Sequence, residues 1–240
     1  MNKKGLTGST LKIIAMAAML IDHIGAAVLV RMIRSTGDMS LYEGYTILRK
    51  IGRIAFPIFC FLLVEGFMHT SDKKKYAIRL GTFALLSEIP FDLAFQSQMI
   101  DFKYQNVFFT LLLGLLAMMG YQYIEEKYPI RNLQVIFMEL LTVGIFMVIA
   151  ELWKTDYGAN GVLCILLLYI FRGKIFYPLT AGWVIYLSNF AAIYGFLLTL
   201  LYNGKRGISL KYVFYLFYPV HLLILYMVCH FMGIASIPTI

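Results

Sequence analysis

The sequence predicts an all-α fold, a polytopic bundle of transmembrane helices with about 8–9 membrane segments and a cytoplasmic amino terminus. Three observations carry this. The 240 residues are 60% hydrophobic and only 14% charged, with a mean hydropathy of +0.76, which leaves too little polar surface to cover a soluble globule of that size. The apolar residues come in runs long enough to cross the hydrocarbon layer as helices. Most Lys and Arg residues sit in the short connectors between those runs, as membrane topology requires.

At roughly 20 apolar residues per crossing, spans are expected near 11–33, 45–69, 76–96, 107–124, 133–152, 159–171 and 212–232. The stretch 175–202 is long enough for one tilted helix or for a hairpin breaking at Ser188-Asn189. Lys3-Lys4, Lys73-Lys74-Lys75 and Arg172-Lys174 alternate as cytoplasmic loops should, with Lys127 and Arg131 agreeing more weakly. Lys205-Arg206 and Lys211 return to that side only if 175–202 crosses twice or re-enters, which favours nine segments over eight. The apolar run after MNKKG extends to about Ile33, too long for a signal peptide, so it is expected to remain as the first span. No repeat or linker interrupts the chain, and residues 1–240 read as a single transmembrane domain.

The formal charge of +8 would point to nucleic acid in a soluble protein. In this chain it is a topology signal, and no nucleic-acid partner is expected beside the lipid bilayer itself. Cys60, Cys164 and Cys229 lie in apolar stretches without metal-ligand spacing, so neither a disulfide framework nor a metal is expected.

The informative residues are the polar ones inside spans, because each ionisable group near the bilayer centre costs about 2.5–3.5 kcal/mol unless paired or hydrated. Asp22 lies about 18 Å into the first span, near the midplane, with His23 beside it. Neighbouring helix positions point about 100° apart, so the two are expected to meet different partners. Arg49 and Arg53 share a face of the second span and are natural partners for Asp22, with Arg53 at the closer depth. Glu88 and Asp92 bracket Pro90 on the third span, where the proline is expected to open the helix. His221 follows Pro219 on the last span at a similar depth. Glu65 and His69, near the cytoplasmic end of the second span, are candidates to meet a soluble ligand. Asn106 is a candidate substrate contact that with Thr110 also suits the start of a helix. Buried ion pairs that merely fix packing would explain any one of these residues, but so many at one depth point to proton transfer or anion binding.

The blocks KIIAMAAMLIDHIG, RKIGRIAFPIFCFLLVEGFMHT, YAIRL with SEIPFDLA, QNVFFT, DYGANGV and FYPVHL follow one another over most of the chain. In that order they resemble the TraX family. The resemblance implies a membrane acetyltransferase, since the family's namesake acetylates the amino terminus of pilin subunits in bacterial conjugation. The family is also similar to the acyltransferase-3 proteins and the lysosomal heparan-alpha-glucosaminide acetyltransferase, which take acetyl from cytoplasmic acetyl-CoA. Carried over, their early-helix histidine matches His23, and Arg49 and Arg53 become partners of the donor or of Asp22. The implied setting is the bacterial plasma membrane.

The expected function is therefore acetyl transfer from cytoplasmic acetyl-CoA to an amine or hydroxyl of a peptide, glycan or small molecule. His23 would serve as general base or acetyl carrier, with Asp22, Arg53 and Glu88 completing the catalytic group. Arg49, Asp92, Asn106, His221, Glu65 and His69 would contact substrate. The acceptor is not identified, and a homo-oligomer is compatible with the sequence. The alternative is a proton-coupled secondary transporter built on the Asp22, His23, Arg53 and Glu88 cluster. The two halves of the chain show no correspondence of the kind such transporters display.

Overall fold

A computed structural model describes residues 5–173, 190–209 and 211–239, and these are helical throughout apart from connectors. The first span outruns its expected bounds, because Gly8–Thr36 forms one helical run of 29 residues. It comprises α1 (Gly8–His23), a π-helical segment (Ile24–Leu29) and α2 (Val30–Thr36). Thr7 caps its start by accepting from the Thr10 amide, and Gly37 ends it in the left-handed conformation at φ 71°.

The span expected at 45–69 is two helices, α3 (Tyr42–Gly52) and α4 (Ala55–His69). The break at Arg53-Ile54 follows from Pro57, which has no N–H for the Arg53 carbonyl and whose ring crowds it. In the first turn of α4 the same proline is tolerated. α5 (Lys73–Phe95) continues through Pro90 without opening, contrary to the sequence expectation. That proline removes a single backbone bond, and the turns on either side hold the helix.

Next come α6 (Val107–Lys127), α7 (Leu133–Leu152), α8 (Gly158–Ile170), α9 (Ala192–Leu200) and α10 (Lys211–Phe231). Among the described residues, five helical runs are long and apolar enough to cross a membrane: Gly8–Thr36, Met39–His69, Val107–Lys127, Leu133–Leu152 and Tyr212–Phe231. α5 has the length, but Arg79, Glu88 and Asp92 interrupt its apolar character. Of the stretch 175–202, the described part holds a turn at Phe190-Ala191 followed by α9. The proposed break at Ser188-Asn189 lies outside the described residues, as do Lys3-Lys4 and Lys174.

The residues form two compact units that interleave along the chain. One comprises Met1–Phe59, Leu85–Phe102 and Asn189–Ile240, the other Cys60–Ala84 and Lys103–Ser188. In the second unit α6, α7 and α8 pack pairwise. Gly114 allows close approach, for a Cβ there would overlap the Ile165 side chain. The 154–158 connector is tied down at Thr110, whose hydroxyl donates to the Asp156 carbonyl. Glu151 Oε1 accepts from the Ala159 amide at 2.8 Å and so caps α8. Gly158, at φ 47°, must lack a side chain because a Cβ would stand 2.6 Å from that oxygen. Cys60 and Cys164 are packing residues of this unit, and both are fully buried.

In the first unit α1 and α10 run parallel. At one end the Gly8 and Ser9 amides donate to the carbonyls of Lys205 and Arg206, at 2.8 and 2.9 Å. At the other, Arg34 donates to the Pro238 carbonyl. Arg31, fully buried, fastens that second end. Its five N–H donors all find acceptors: Ile237 O at 2.7 Å, Ala27 O at 3.1 Å, Leu93 O at 3.4 Å, Ser97 Oγ at 3.0 Å, and Ala94 O. Leu93 and Ala94 belong to the last turn of α5, where unpaired carbonyls and the negative end of the helix dipole suit a cation.

Arg31→Lys keeps the charge but supplies only three donors from a single atom, and it leaves buried carbonyls unpaired. We expect it to destabilise the protein by about 3 kcal/mol. Thermal unfolding in mild detergent reads this as a clear fall in midpoint, and an unchanged midpoint would refute the role given to the guanidinium.

Candidate functional site

α3 reaches α1 at two glycines. A Cβ on Gly25 would stand 3.2 Å from Leu48 Cβ, and one on Gly52 would overlap the Asp22 side chain. Without those atoms the helices close until Arg49 Nη1 ion-pairs with Asp22 Oδ2. The Asp22 side chain is 13% exposed and that of Arg49 is 25% exposed. The pair is thus shielded, and each charge offsets the desolvation of the other.

His23, one residue on, turns to α10. Its Nδ1 lies 2.7 Å from His221 Nε2, and the two rings are nearly parallel with centroids 5.0 Å apart. His221 Nδ1 in turn lies 2.7 Å from the Phe217 carbonyl. A carbonyl only accepts, so His221 Nδ1 carries the hydrogen, and in the neutral ring Nε2 is left as an acceptor. His23 Nδ1 must then donate to it. That fixes the His23 tautomer, with the lone pair on Nε2.

The neighbours of the ring are aromatic. Phe95, at the end of α5, meets His23 edge-on at 5.3 Å, and Tyr218 does so at 6.0 Å. Phe217 stacks on His221 at 4.6 Å. His221 is 4% exposed, and His23 as a residue is half-buried. Arg49 and Arg53 both lie close enough to act electrostatically on the His23 ring. Arg53 caps the carboxyl end of α3, and Arg49 pairs with Asp22.

Glu88 is half-buried on α5, two turns before Phe95 and on nearly the same face. Asp92 is fully buried and engaged locally, accepting from Gln96 Nε2 and from the Asp101 amide, both at 2.8 Å. The remaining candidates belong to the second unit. Asn106 caps α6 through the Phe108 amide at 3.0 Å and donates to the Ala84 carbonyl at 2.8 Å. Glu65 accepts from Arg172 Nε at 2.9 Å and lies 3.6 Å from His69 Nε2. At the same end of that unit, Glu139 of α7 is buried and paired with Arg131 at 2.9 Å and the Tyr121 hydroxyl at 3.1 Å. Arg131 stands outside the span, and the Glu139 carboxylate raises its pKa.

Sequence reasoning overlooked Gly25, Gly52, Phe95 and Arg31. Gly52 was the most visible of these, since a glycine set between Arg49 and Arg53 marks close backbone approach beside charge.

The sequence matches the family described as TraX protein over residues 7–229. The chain belongs to the TraX family. It is similar to the "Probable fimbrial assembly protein FimC, serogroup H1" of Dichelobacter nodosus, with 29% identity over 238 residues covering 90% of this chain and 92% of the relative. An uncharacterized protein of Rickettsia prowazekii (strain Madrid E) is 34% identical over 104 residues, covering 43% of this chain and 33% of its own length. No solved structure matches. Family membership fixes no reaction, and the geometry around His23 therefore bears the functional reading.

Gly52→Ala tests that geometry. The added methyl must displace Asp22, and we expect a loss of about 2 kcal/mol. Asp22→Asn should cost less, because it keeps the volume while weakening the pair. Equal melting temperatures for Gly52→Ala and the unaltered protein would show that α1 and α3 do not meet as described.

Proposed function

We propose that the protein is an integral membrane acetyltransferase that moves acetyl from cytoplasmic acetyl-CoA to an amine or hydroxyl acceptor. The observation that carries the reading is the chain of hydrogen bonds from the Phe217 carbonyl through His221 to His23, which leaves a basic nitrogen on the His23 ring. His23 Nε2 takes the proton as the acceptor attacks the thioester carbonyl. The tetrahedral intermediate collapses with expulsion of the CoA thiolate, and the imidazolium returns its proton to the sulfur. His221 is a positioning residue, holding the tautomer and passing positive charge toward the Phe217 carbonyl. Arg53 stabilises the developing oxyanion, Asp22 holds Arg49 in place, and Glu88 receives the proton of an acceptor that arrives as an ammonium.

A nine-segment topology with a cytoplasmic amino terminus in the bacterial plasma membrane accompanies this function. It draws support from the pairing of residues 5–9 with 201–208, which sets the basic Lys205-Arg206 connector at the same end as the start of the chain. The name of the Dichelobacter relative, a probable fimbrial assembly protein, favours a peptide acceptor over a glycan or a small molecule.

The test is incubation of purified protein with radiolabelled acetyl-CoA and membrane extract. We expect labelled product from wild type and none above background from His23→Ala. His221→Phe should lower kcat by about 10²- to 10³-fold with little change in KM, the signature of lost general-base orientation. Full transfer by His23→Ala, or CoA-independent solute uptake into proteoliposomes without transfer, would overturn the acetyltransferase reading.

A further inference from the structure

We propose that the amino-terminal end of the first unit, where Lys12 meets the Lys205-Arg206 connector, is the site that holds the phosphate groups of the acyl donor. The proposal rests on the transferase reading above and gives that reading a donor subsite.

Charge distribution leads to it. The first acidic residue in the chain is Asp22, and none follows Asp156. Residues 5–21 and 190–209 therefore contribute Lys12, Lys205 and Arg206 without a single carboxylate. The fold brings the two segments together, for the carbonyls of Lys205 and Arg206 accept from the first amides of α1, and the Ile208 amide donates to Ser9 Oγ at 3.1 Å. Arg206 is held further by a 3.1 Å bond from its Nη2 to Ser209 Oγ.

Lys12 is the residue that topology alone does not explain. It lies inside α1 rather than in a connector, half-buried, with its ammonium 4.9 Å over the Phe214 ring. The charged group that acts on it is Arg206, another cation. Two like charges brought together in this way repel unless an anion lies between them. A phosphate, with several acceptor oxygens and up to two charges, suits an ammonium and a guanidinium together.

Placement relative to His23 selects the donor as the source of that phosphate. Lys12 and His23 are eleven residues apart on one helix, three turns, and so face the same side at a separation of roughly 16 Å. Met16 and Met19 complete the strip at helical spacing, both half-buried, and offer a pliable apolar track. The pantetheine arm of CoA has twelve chain bonds between its phosphate-bearing oxygen and sulfur, equivalent to four residues of extended backbone, or roughly 14 Å. A donor whose phosphates rest at Lys12 and Arg206 thus brings its thioester to the level of His23.

The test uses the full-length protein in phosphatidylcholine nanodiscs, with direct binding of CoA, 3′-dephospho-CoA and phosphate-free pantetheine. For Lys12→Gln combined with Arg206→Gln, we expect CoA binding at least about tenfold weaker and a much smaller change for pantetheine, with Lys12→Arg retaining CoA. Size-exclusion profiles and melting temperatures confirm that the variants fold. Undiminished CoA binding by the double variant, with acetyl transfer intact in wild type, would overturn this site and leave the transferase reading standing. A wild type that neither binds CoA nor transfers acetyl would remove both. If the double variant instead loses retained phosphatidylglycerol while its CoA affinity is unchanged, the cations serve a lipid headgroup and the proposal fails.

Discussion

The ion pair between Asp22 and Arg49 is the constraint around which the first unit is arranged. A carboxylate near the middle of an apolar helix is tolerable only if a cation reaches it, and a cation on the next helix reaches it only if the backbones come close. Gly25 and Gly52 provide that approach from opposite sides of one contact, and neither could carry even a methyl group without displacement. Once α3 is seated on α1, the rotation of α1 is fixed, and His23, about 100° further round, is committed to α10. The His23–His221 contact therefore depends on the packing of the Asp22–Arg49 pair.

Arg31 performs the corresponding task at the other end of the unit. It binds the last carbonyls of α5 and the carboxyl-terminal tail, while the Thr239 amide and hydroxyl donate to the Phe95 carbonyl at 2.6 and 3.0 Å. Phe95 is the ring that meets His23 edge-on. The tail thereby helps to place one of the rings that touch His23. The residues around His23 come from α1, α3, α5 and α10 and have no single rigid scaffold, so these polar clamps hold them in place.

Much of this was legible in the sequence. The expense of charge in hydrocarbon drew attention to Asp22, His23, Arg49, Arg53, Glu88, Asp92 and His221, all of which lie in one unit. Helical periodicity separated Asp22 from His23 before any partner was known. The second span was read as continuous, but the break that Pro57 imposes sets Arg53 at the end of α3; Arg49, one of the two expected partners, pairs with Asp22. Pro90 misled, since a proline with intact turns on both sides need not open its helix. Asn106 shows the ambiguity of a single polar residue at a helix start, where a cap and a ligand contact look the same in sequence. Arg31 was invisible because its partners are backbone carbonyls, which leave no trace in residue types.

The π-helical segment that follows His23 accounts for how one helix serves both clamps. His23 and Arg31 are eight residues apart, and in a regular α-helix they would point about 80° away from each other. The widened turn at Ile24–Leu29, closed by the Val30 amide on the Gly25 carbonyl, absorbs one residue. The effective spacing becomes seven, two full turns, which returns both side chains to one face. His23 there meets Phe95 and Arg31 meets Leu93 and Ala94, successive residues at the end of a single helix. Had α1 continued as an α-helix, Asp22 on Arg49 and Arg31 on α5 could not both be satisfied without twisting His23 out of line with His221. The irregular turn beside the histidine is thus what makes the buried pair and the buried arginine compatible.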